Sequence, residues 1–273
     1  MKKRSEKRNS KLNIKKQFKE ALIYLKKSLN YIYLAILLFI ASGIFGFLNA
    51  KNLTFIDKIL KEIISKTLNL NPLELIFFIL QNNLQSAFVS LAGGILLGIG
   101  PILFAISNGT IIGYVMSRSY QAAGIGVLWR LLPHGIFELP AIFISIGLGI
   151  KIGFSIIDSY FTYFWRKNKT LIFLPIIAIA FFSITNVIYH QDNLTSINNM
   201  LPKNLTYILF FIFTIVFIFI MFMLFAFIFE KQWGQELLKT LKFYDSANAF
   251  LMIVVPLLII AAIIEGLLIA LIK

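Results

Sequence analysis

The chain of 273 residues contains no cysteine and only two histidines, His134 and His190. The absence of cysteine excludes disulfides, thiolate metal sites and cysteine nucleophiles, although it leaves the redox compartment undecided. The histidines stand far apart in the sequence, and neither belongs to an HExxH motif. The sequence therefore predicts no metal site, and nothing in it indicates a cofactor.

The sequence also lacks the usual catalytic patterns. It contains no GxSxG elbow, and no serine in an apolar stretch pairs with a histidine motif. An intramembrane hydrolase would need a nucleophile and a base within reach of each other, and the sequence offers no convincing pair. We therefore expect that the protein is not an enzyme.

Charge is scarce, because charged residues make up 14% of the chain and hydrophobic residues 59%. The mean hydropathy is +0.84, which is typical of a protein that has lipid as its main solvent. The apolar stretches are continuous and do not alternate with polar residues, so they favour helices over a barrel. The predicted fold class is an all-α, polytopic helical membrane protein with broken or re-entrant helices and amphipathic surface helices.

A helix needs about 20 apolar residues to cross the hydrocarbon core of a bilayer. By this measure we expect a single transmembrane domain over residues 31–273, with spans near 31–50, 84–117, 127–154, 171–189, 205–229 and 246–272.

Residues 1–30 form a separate basic segment, with eleven Lys and Arg against Glu6 and Glu20. Nucleic-acid binding is one interpretation of such a charge. The segment directly precedes an apolar span, however, so the positive-inside rule and anionic lipid heads explain it better. Its apolar residues recur at helical spacing and predict an amphipathic helix on the cytoplasmic membrane surface: Ile14, Phe18, Ala21, Leu22, Leu25 and Leu29.

The sequence of residues 54–82 predicts interfacial or re-entrant helices. Residues 54–70 are amphipathic, and Thr54 with Asp57 predicts a capping box at their start. Asn71, Pro72 and Glu74 then predict the capped start of a short helix that reaches Asn82–Asn83.

The uncharged stretch 84–117 would be about 51 Å long as one helix, more than a bilayer core requires. We expect a break at Pro101 or at Asn108–Gly109, because proline lacks a backbone donor and Asn–Gly favours turns. Gly94 with Gly98, and Gly109 with Gly113, place small residues four apart, which predicts close helix packing.

Loop charges constrain the topology. Six simple spans with a cytoplasmic N-terminus would place the basic residues Arg166, Lys167 and Lys169 outside, against the positive-inside rule. An odd number of crossings within 84–154 places these residues inside. It also brings the later loops into agreement with the positive-inside rule. We therefore expect a multi-pass cell-membrane protein with its N-terminus in the cytoplasm, its C-terminus outside, and five or seven crossings.

Residues 131–141, LLPHGIFELPA, bring an imidazole and a carboxylate into an apolar region. The run LLPHGIFELPAIFISIGLGIKIG resembles the signature of the stage II sporulation protein M family of integral membrane proteins. The segment FFILQNNLQSAFVSLAGGILLGIGPILFAISNG and the ending PLLIIAAIIEGLL match that family's layout. The resemblance implies a membrane anchor that assembles with partner proteins, in endospore formers with peptidoglycan-degrading ones, and it assigns no activity to most members.

Two prolines bracket the motif, and we expect Pro133 to start a helix and Pro140 to break it. His134 and Glu138 are four apart, so on a continuous helix they would share a face and could partner each other. In such a pair the imidazole and the carboxylate would be each other's polar partners, and the pair would have a structural role only. Alternatively, ionisable residues inside a membrane mark a pathway for ions, protons or substrates.

The candidate polar motif, structural or ligand-binding, comprises eight residues: Asn82, Asn83, Asn108, Pro133, His134, Glu138, Pro140 and Glu265. Two functions follow from it. The first is a membrane scaffold or assembly factor that docks a protein partner or a second copy of itself. The second is a transporter or channel for a small ion or solute, in which His134, Glu138 and Glu265 converge on a hydrated cavity.

Overall fold

The computed structural model describes residues 2–68, 70–124, 126, 132–167 and 243–272. Contacts divide the chain into two compact units, residues 1–153 with 242–273 and residues 154–241. The helices and contacts discussed below belong to the first unit, apart from the last residues of the helix that ends at Lys167. The predicted single domain over 31–273 stays a prediction.

Helices form nearly all of the described part of the chain, which contains no strand, so the all-α prediction is confirmed. The helices are α1 (Lys2–Lys26), α2 (Leu29–Leu48), α3 (Phe55–Thr67), α4 (Pro72–Ala92), α5 (Ile99–Ala123), α6 (Leu132–Lys167), α7 (Phe243–Ala249) and α8 (Val255–Ile272). Short 3-10 helices lie at Ala50–Asn52 and Gly93–Ile95, and a π-helical turn, Phe250–Val254, joins α7 to α8.

Five described helices are long and apolar enough to cross a membrane, with mean hydropathies from 1.4 to 2.8. They are Leu29–Leu48, Pro72–Ile95, Ile99–Ala123, Gly135–Tyr163 and Phe243–Leu268. Three of them lie between residues 72 and 163. The predicted number of crossings and the predicted orientation stay predictions. The predicted spans 171–189 and 205–229 lie outside the described residues.

The break in the long apolar stretch lies at Gly93–Gly98, so the prediction of a break at Pro101 or Asn108–Gly109 is wrong. Leu97 and Gly98 adopt positive φ angles of 58° and 79°, a conformation that glycine tolerates best. Pro101 is the third residue of α5, where a helix needs no backbone donor from it. The Asn108 amide nitrogen donates to the Phe104 carbonyl one turn earlier, and α5 continues through Asn108 without a break.

Helix α4 does not end at Asn82–Asn83 as predicted but continues to Ala92. The two side chains contact each other, Asn82 Nδ2 to Asn83 Oδ1 at 3.4 Å, and leave the helical backbone uninterrupted. The start of α4 is confirmed, because Asn71 and Glu74 form both hydrogen bonds of a capping box, each at 2.9 Å.

The capping box predicted at Thr54 is absent, because the Thr54 side chain makes no cap hydrogen bond. Asp57 instead accepts a hydrogen bond from the Tyr114 hydroxyl at 2.6 Å and lies 3.6 Å from the Arg118 guanidinium. Asp57 therefore contacts Tyr114 and Arg118 of α5 instead of capping α3, and these contacts hold α3 against α5. This contact shows that α3 belongs to the folded unit along its first turn, where Ile56 is buried.

The break predicted at Pro140 is also absent, since α6 runs continuously from Leu132 to Lys167 with Pro140 inside it. A proline removes only one backbone donor, and membrane helices tolerate that loss when neighbouring groups satisfy the freed carbonyl. Pro133 stands in the first turn of α6, where it was expected.

Glycines bring the helices of the first unit into close contact. A Cβ atom on Gly46 of α2 would stand 2.9 Å from Thr110 Cα of α5, and one on Gly113 would overlap the backbone at Gly43. Gly94 approaches Gly149 of α6 in the same way. The close packing predicted from the glycine spacing is therefore confirmed. Helices α2, α5 and α6 also share an apolar cluster of Ala35, Ala105, Ile142, Ile146 and Ile150.

Candidate functional site

Four of the predicted polar residues line one cavity of about 420 Å³: Asn82, Asn83, Glu138 and Glu265. They come from three helices that lie far apart in the sequence, α4, α6 and α8. We call this space the polar cavity. Its remaining lining is largely apolar and consists of Ile63, Thr67, Leu68, Leu75, Phe78 and Ile79.

Helices α4 and α8 position one side of the polar cavity. Leu75 and Ile79 of α4 are buried against Ala262 of α8. Asn83 follows Ile79 at the next helical turn and is therefore on the same buried face, where its exposed fraction is 7%. Gly266 allows α8 to approach α4, since a Cβ there would overlap the Ile76 side chain, and the neighbouring Glu265 reaches the cavity.

Helix α6 supplies Glu138 to the opposite part of the lining. The helix is continuous from Leu132, so the backbone condition for a pair between His134 and Glu138 is met. The side chains of Pro133 and His134 lie outside the described part of the structure. The predicted pair between the imidazole and the carboxylate therefore stays a prediction.

The contribution of α3 was missed by the sequence reasoning. Ile63 and Thr67 of α3, together with Leu68 just beyond it, line the polar cavity. The apolar spacing of α3 predicted an amphipathic helix but gave no sign that its last turn would line the polar cavity. The polar cavity is therefore bordered by an amphipathic helix as well as by apolar ones.

The described lining of the polar cavity is acidic. Of its ten lining residues in the described structure, two are carboxylic acids and none is basic. An ionised carboxylate in an apolar membrane environment is costly unless a proton, a cation or hydrogen-bond donors compensate it. Two carboxylates that share one cavity also repel each other.

Two predicted residues do not join the site. Asn108 hydrogen-bonds within α5, and Pro140 is exposed on α6; neither lines the polar cavity. Within the described ranges, no group of three or more His, Asp or Glu side chains is arranged to hold a metal ion.

A second group of polar contacts joins α1 and the turn that follows it to α6 and α7. The Lys151 ammonium of α6 donates to Ser28 Oγ at 2.8 Å and lies 3.8 Å from the centre of the Tyr24 ring. The Tyr24 hydroxyl is 2.9 Å from Ser246 Oγ of α7, and Asn248 Nδ2 donates to the Gln17 carbonyl at 2.9 Å. We call these contacts the α1 anchor.

Comparison with known proteins identifies the family of the chain. The model of the stage II sporulation protein M family matches residues 35–187, which include the LLPHGIFELPA motif. An uncharacterized protein of Methanocaldococcus jannaschii is 37% identical over 128 residues, which are 46% of this chain and 69% of that protein. No solved structure matches the chain. The chain belongs to the stage II sporulation protein M family.

Proposed function

We propose that this protein is a scaffold of the cell membrane, without catalytic activity, that holds a partner protein at the cytoplasmic surface through α1. The observation that supports the proposal is the α1 anchor. A basic segment that binds lipid only through its charge needs no fixed orientation. Here the segment is fixed through contacts with α6 and α7.

The anchor gives α1, together with the turn at Lys27–Ser28, three different faces. Ala21, Tyr24 and Ser28 are buried against the protein. Beside them, Ile14, Phe18 and Leu22 are about half exposed and suit the apolar edge of the membrane interface. The third face carries exposed lysines, Lys15, Lys16, Lys19, Lys26 and Lys27, which would attract anionic lipid heads or an acidic protein surface.

A cytoplasmic α1 is part of the proposal. Four of the described candidate spans precede residue 166, so a cytoplasmic N-terminus puts the basic residues Arg166 and Lys167 on the same side. Two further crossings by the apolar stretches 171–189 and 205–229 would give seven in total and an external C-terminus. Because the chain has no cysteine, single cysteines at Ser10, Lys167 and Asn198 would test this orientation with an impermeant thiol reagent. We expect labelling from outside at position 198 only.

The scaffold is tested by photocrosslinking in native membranes. A photoreactive amino acid at Lys19, on the basic face of α1, should give one discrete adduct with another protein. The matched control is the same amino acid at Ile44, which is exposed on the apolar helix α2 and should crosslink lipid. Lys151→Met removes part of the α1 anchor and should weaken the Lys19 adduct. Adducts to lipid or to the chain itself alone, in repeated experiments, would contradict the scaffold.

Transport of a small ion or solute is the second candidate function. The observation in its favour is that Glu138 and Glu265 line the same cavity within apolar helices. Flux across liposomes that contain the purified protein tests it, with Glu138→Gln and Glu265→Gln as variants that should abolish the flux. If the wild type moves no common cation, proton or small anion, transport of these solutes is excluded.

A further inference from the structure

The polar cavity and the α1 anchor lie at different depths of the first unit. On the continuous helix α6, Glu138 lines the cavity and Lys151 belongs to the anchor. The two residues are 13 positions apart in the sequence, which corresponds to about 20 Å along a helix. That distance is a large part of the roughly 30 Å thickness of the hydrocarbon core of a bilayer. The polar cavity is therefore nearer to the membrane face opposite α1.

Helix α3, which borders the cavity, is held to the bundle at its first turn. Ile56 is 1% exposed and belongs to an apolar cluster with Tyr114, against which Leu60 also packs. Asp57 accepts the hydrogen bond from Tyr114 at 2.6 Å and lies 3.6 Å from the Arg118 guanidinium. These contacts fix the start of α3 against α5.

The last two turns of α3 are held much less firmly. No residue from 61 to 68 is buried, and Ile63 and Ile64 are 47% and 54% exposed. In the part of the chain that the structure describes, α3 does not pack along any other helix. A segment with few buried apolar contacts opens at a low cost in free energy. The end of α3 can therefore move more easily than its start.

Contacts within α3 keep its last turns helical during such a movement. The Lys66 ammonium pairs with the Glu62 carboxylate at 2.8 Å, and the Ser65 hydroxyl donates to the Glu62 carbonyl at 2.8 Å. The Thr67 hydroxyl donates to carbonyls of the preceding turn. None of these bonds joins α3 to another helix, so α3 can move without breaking them. The membrane interface suits the apolar side chains that the movement would expose.

The loosely held turns are the ones that line the polar cavity, through Ile63 and Thr67. We propose that α3 is a lid on this cavity. Its first turn, at Ile56 and Asp57, is the pivot, and residues 61–68 lift to open the cavity toward the membrane face opposite α1. Elements that close a site are commonly drawn from the less stable parts of a fold. The inference requires neither the scaffold nor transport.

Distances between spin labels test the lid in the full chain in nanodiscs, because the chain has no cysteine of its own. One pair joins Lys66→Cys, near the end of α3, to Ser107→Cys, which is exposed on α5. The matched pair joins Lys58→Cys, on the first turn of α3, to the same position. We expect a broad or two-peaked distribution of distances for the Lys66 pair and a single narrow one for the Lys58 pair. Distributions of equal width, narrow or broad, would overturn the proposal.

The rate of thiol modification tests whether the movement opens the cavity. Asn83→Cys places a single thiol in the cavity, at a position that is 7% exposed. A water-soluble methanethiosulfonate should modify it slowly, and Tyr114→Phe, which weakens the pivot, should raise the rate about tenfold or more. Ser90→Cys is the control, because Ser90 is buried on the same helix but does not line the cavity. An unchanged rate at Asn83→Cys, or an equal rise at Ser90→Cys, would overturn the proposal.

Discussion

Two regions of the first unit use opposite kinds of contact. Between α2 and α5, glycines bring backbones together and leave no space for a side chain, as at Gly46 and Gly113. At the polar cavity, α4, α6 and α8 leave about 420 Å³ between them and turn two carboxylates toward it. The first contact is typical of helix association in membranes. The second leaves polar side chains beside open space instead of close packing.

The largest effect should come from filling the glycine contact. Gly46→Leu places a side chain against the Thr110 backbone, which cannot move aside cheaply, so we expect a loss of about 3 kcal/mol in the free energy of unfolding. Thermal unfolding in a fixed detergent measures it. The control is Gly126→Leu, because a Cβ at Gly126 meets nothing within 4 Å. If both variants unfold at the temperature of the wild type, the close contact between α2 and α5 does not exist.

A smaller effect should follow removal of the hydrogen bond between α5 and α3. Tyr114→Phe deletes the hydroxyl that donates to Asp57 at 2.6 Å, and a hydrogen bond to a charged group contributes about 1.5–3 kcal/mol. We expect a lower unfolding temperature than in Tyr33→Phe, which changes a tyrosine that is 60% exposed. Equal temperatures for the two variants would show that Asp57 does not hold α3 in place.

The α1 anchor should respond to pH. Burial, and to a lesser degree the nearby Asp245 carboxylate, raises the pKa of Tyr24 above its ordinary value. The neutral phenol is therefore favoured in the folded protein, so its stabilisation is complete below about pH 10 and is lost as the pH rises through the raised pKa. A spin label on Lys16→Cys should keep its mobility up to about pH 10 and become more mobile as the pH rises further.

Tyr24→Phe is the control for this titration, because it removes the ionisable group and keeps the ring beside Lys151. The pH-dependent increase in label mobility should be smaller in that variant. Identical pH profiles in the two proteins would assign the release of α1 to other groups.

The sequence predicts the glycine contacts better than it predicts the breaks. Small residues four apart suit one helical face in any membrane bundle, so Gly109 and Gly113 could be assigned to packing from spacing alone. Pro101 was expected to interrupt a helix, but the left-handed turn at Leu97–Gly98 lies just before it and makes it part of the first turn of α5. The position of a break therefore depends on which of several neighbouring residues interrupts the helix first.

The members of the polar cavity could be nominated from the sequence, but their meeting could not. Asn82, Glu138 and Glu265 stand out because polar residues are rare in apolar helices. Whether they share one space depends on how α4, α6 and α8 pack, which no local pattern encodes. Asn108 illustrates the limit, since the same kind of residue in a similar apolar stretch satisfies itself on its own helix.

One measurement tests most directly whether the carboxylates of the polar cavity hold the fold together. The double variant Glu138→Gln and Glu265→Gln keeps the shape of both side chains and removes their charge. It should unfold at the same temperature as the wild type or at a higher one, because two carboxylates that share an apolar cavity repel each other when both are ionised. A fall in unfolding temperature as large as that of Gly46→Leu would contradict this account.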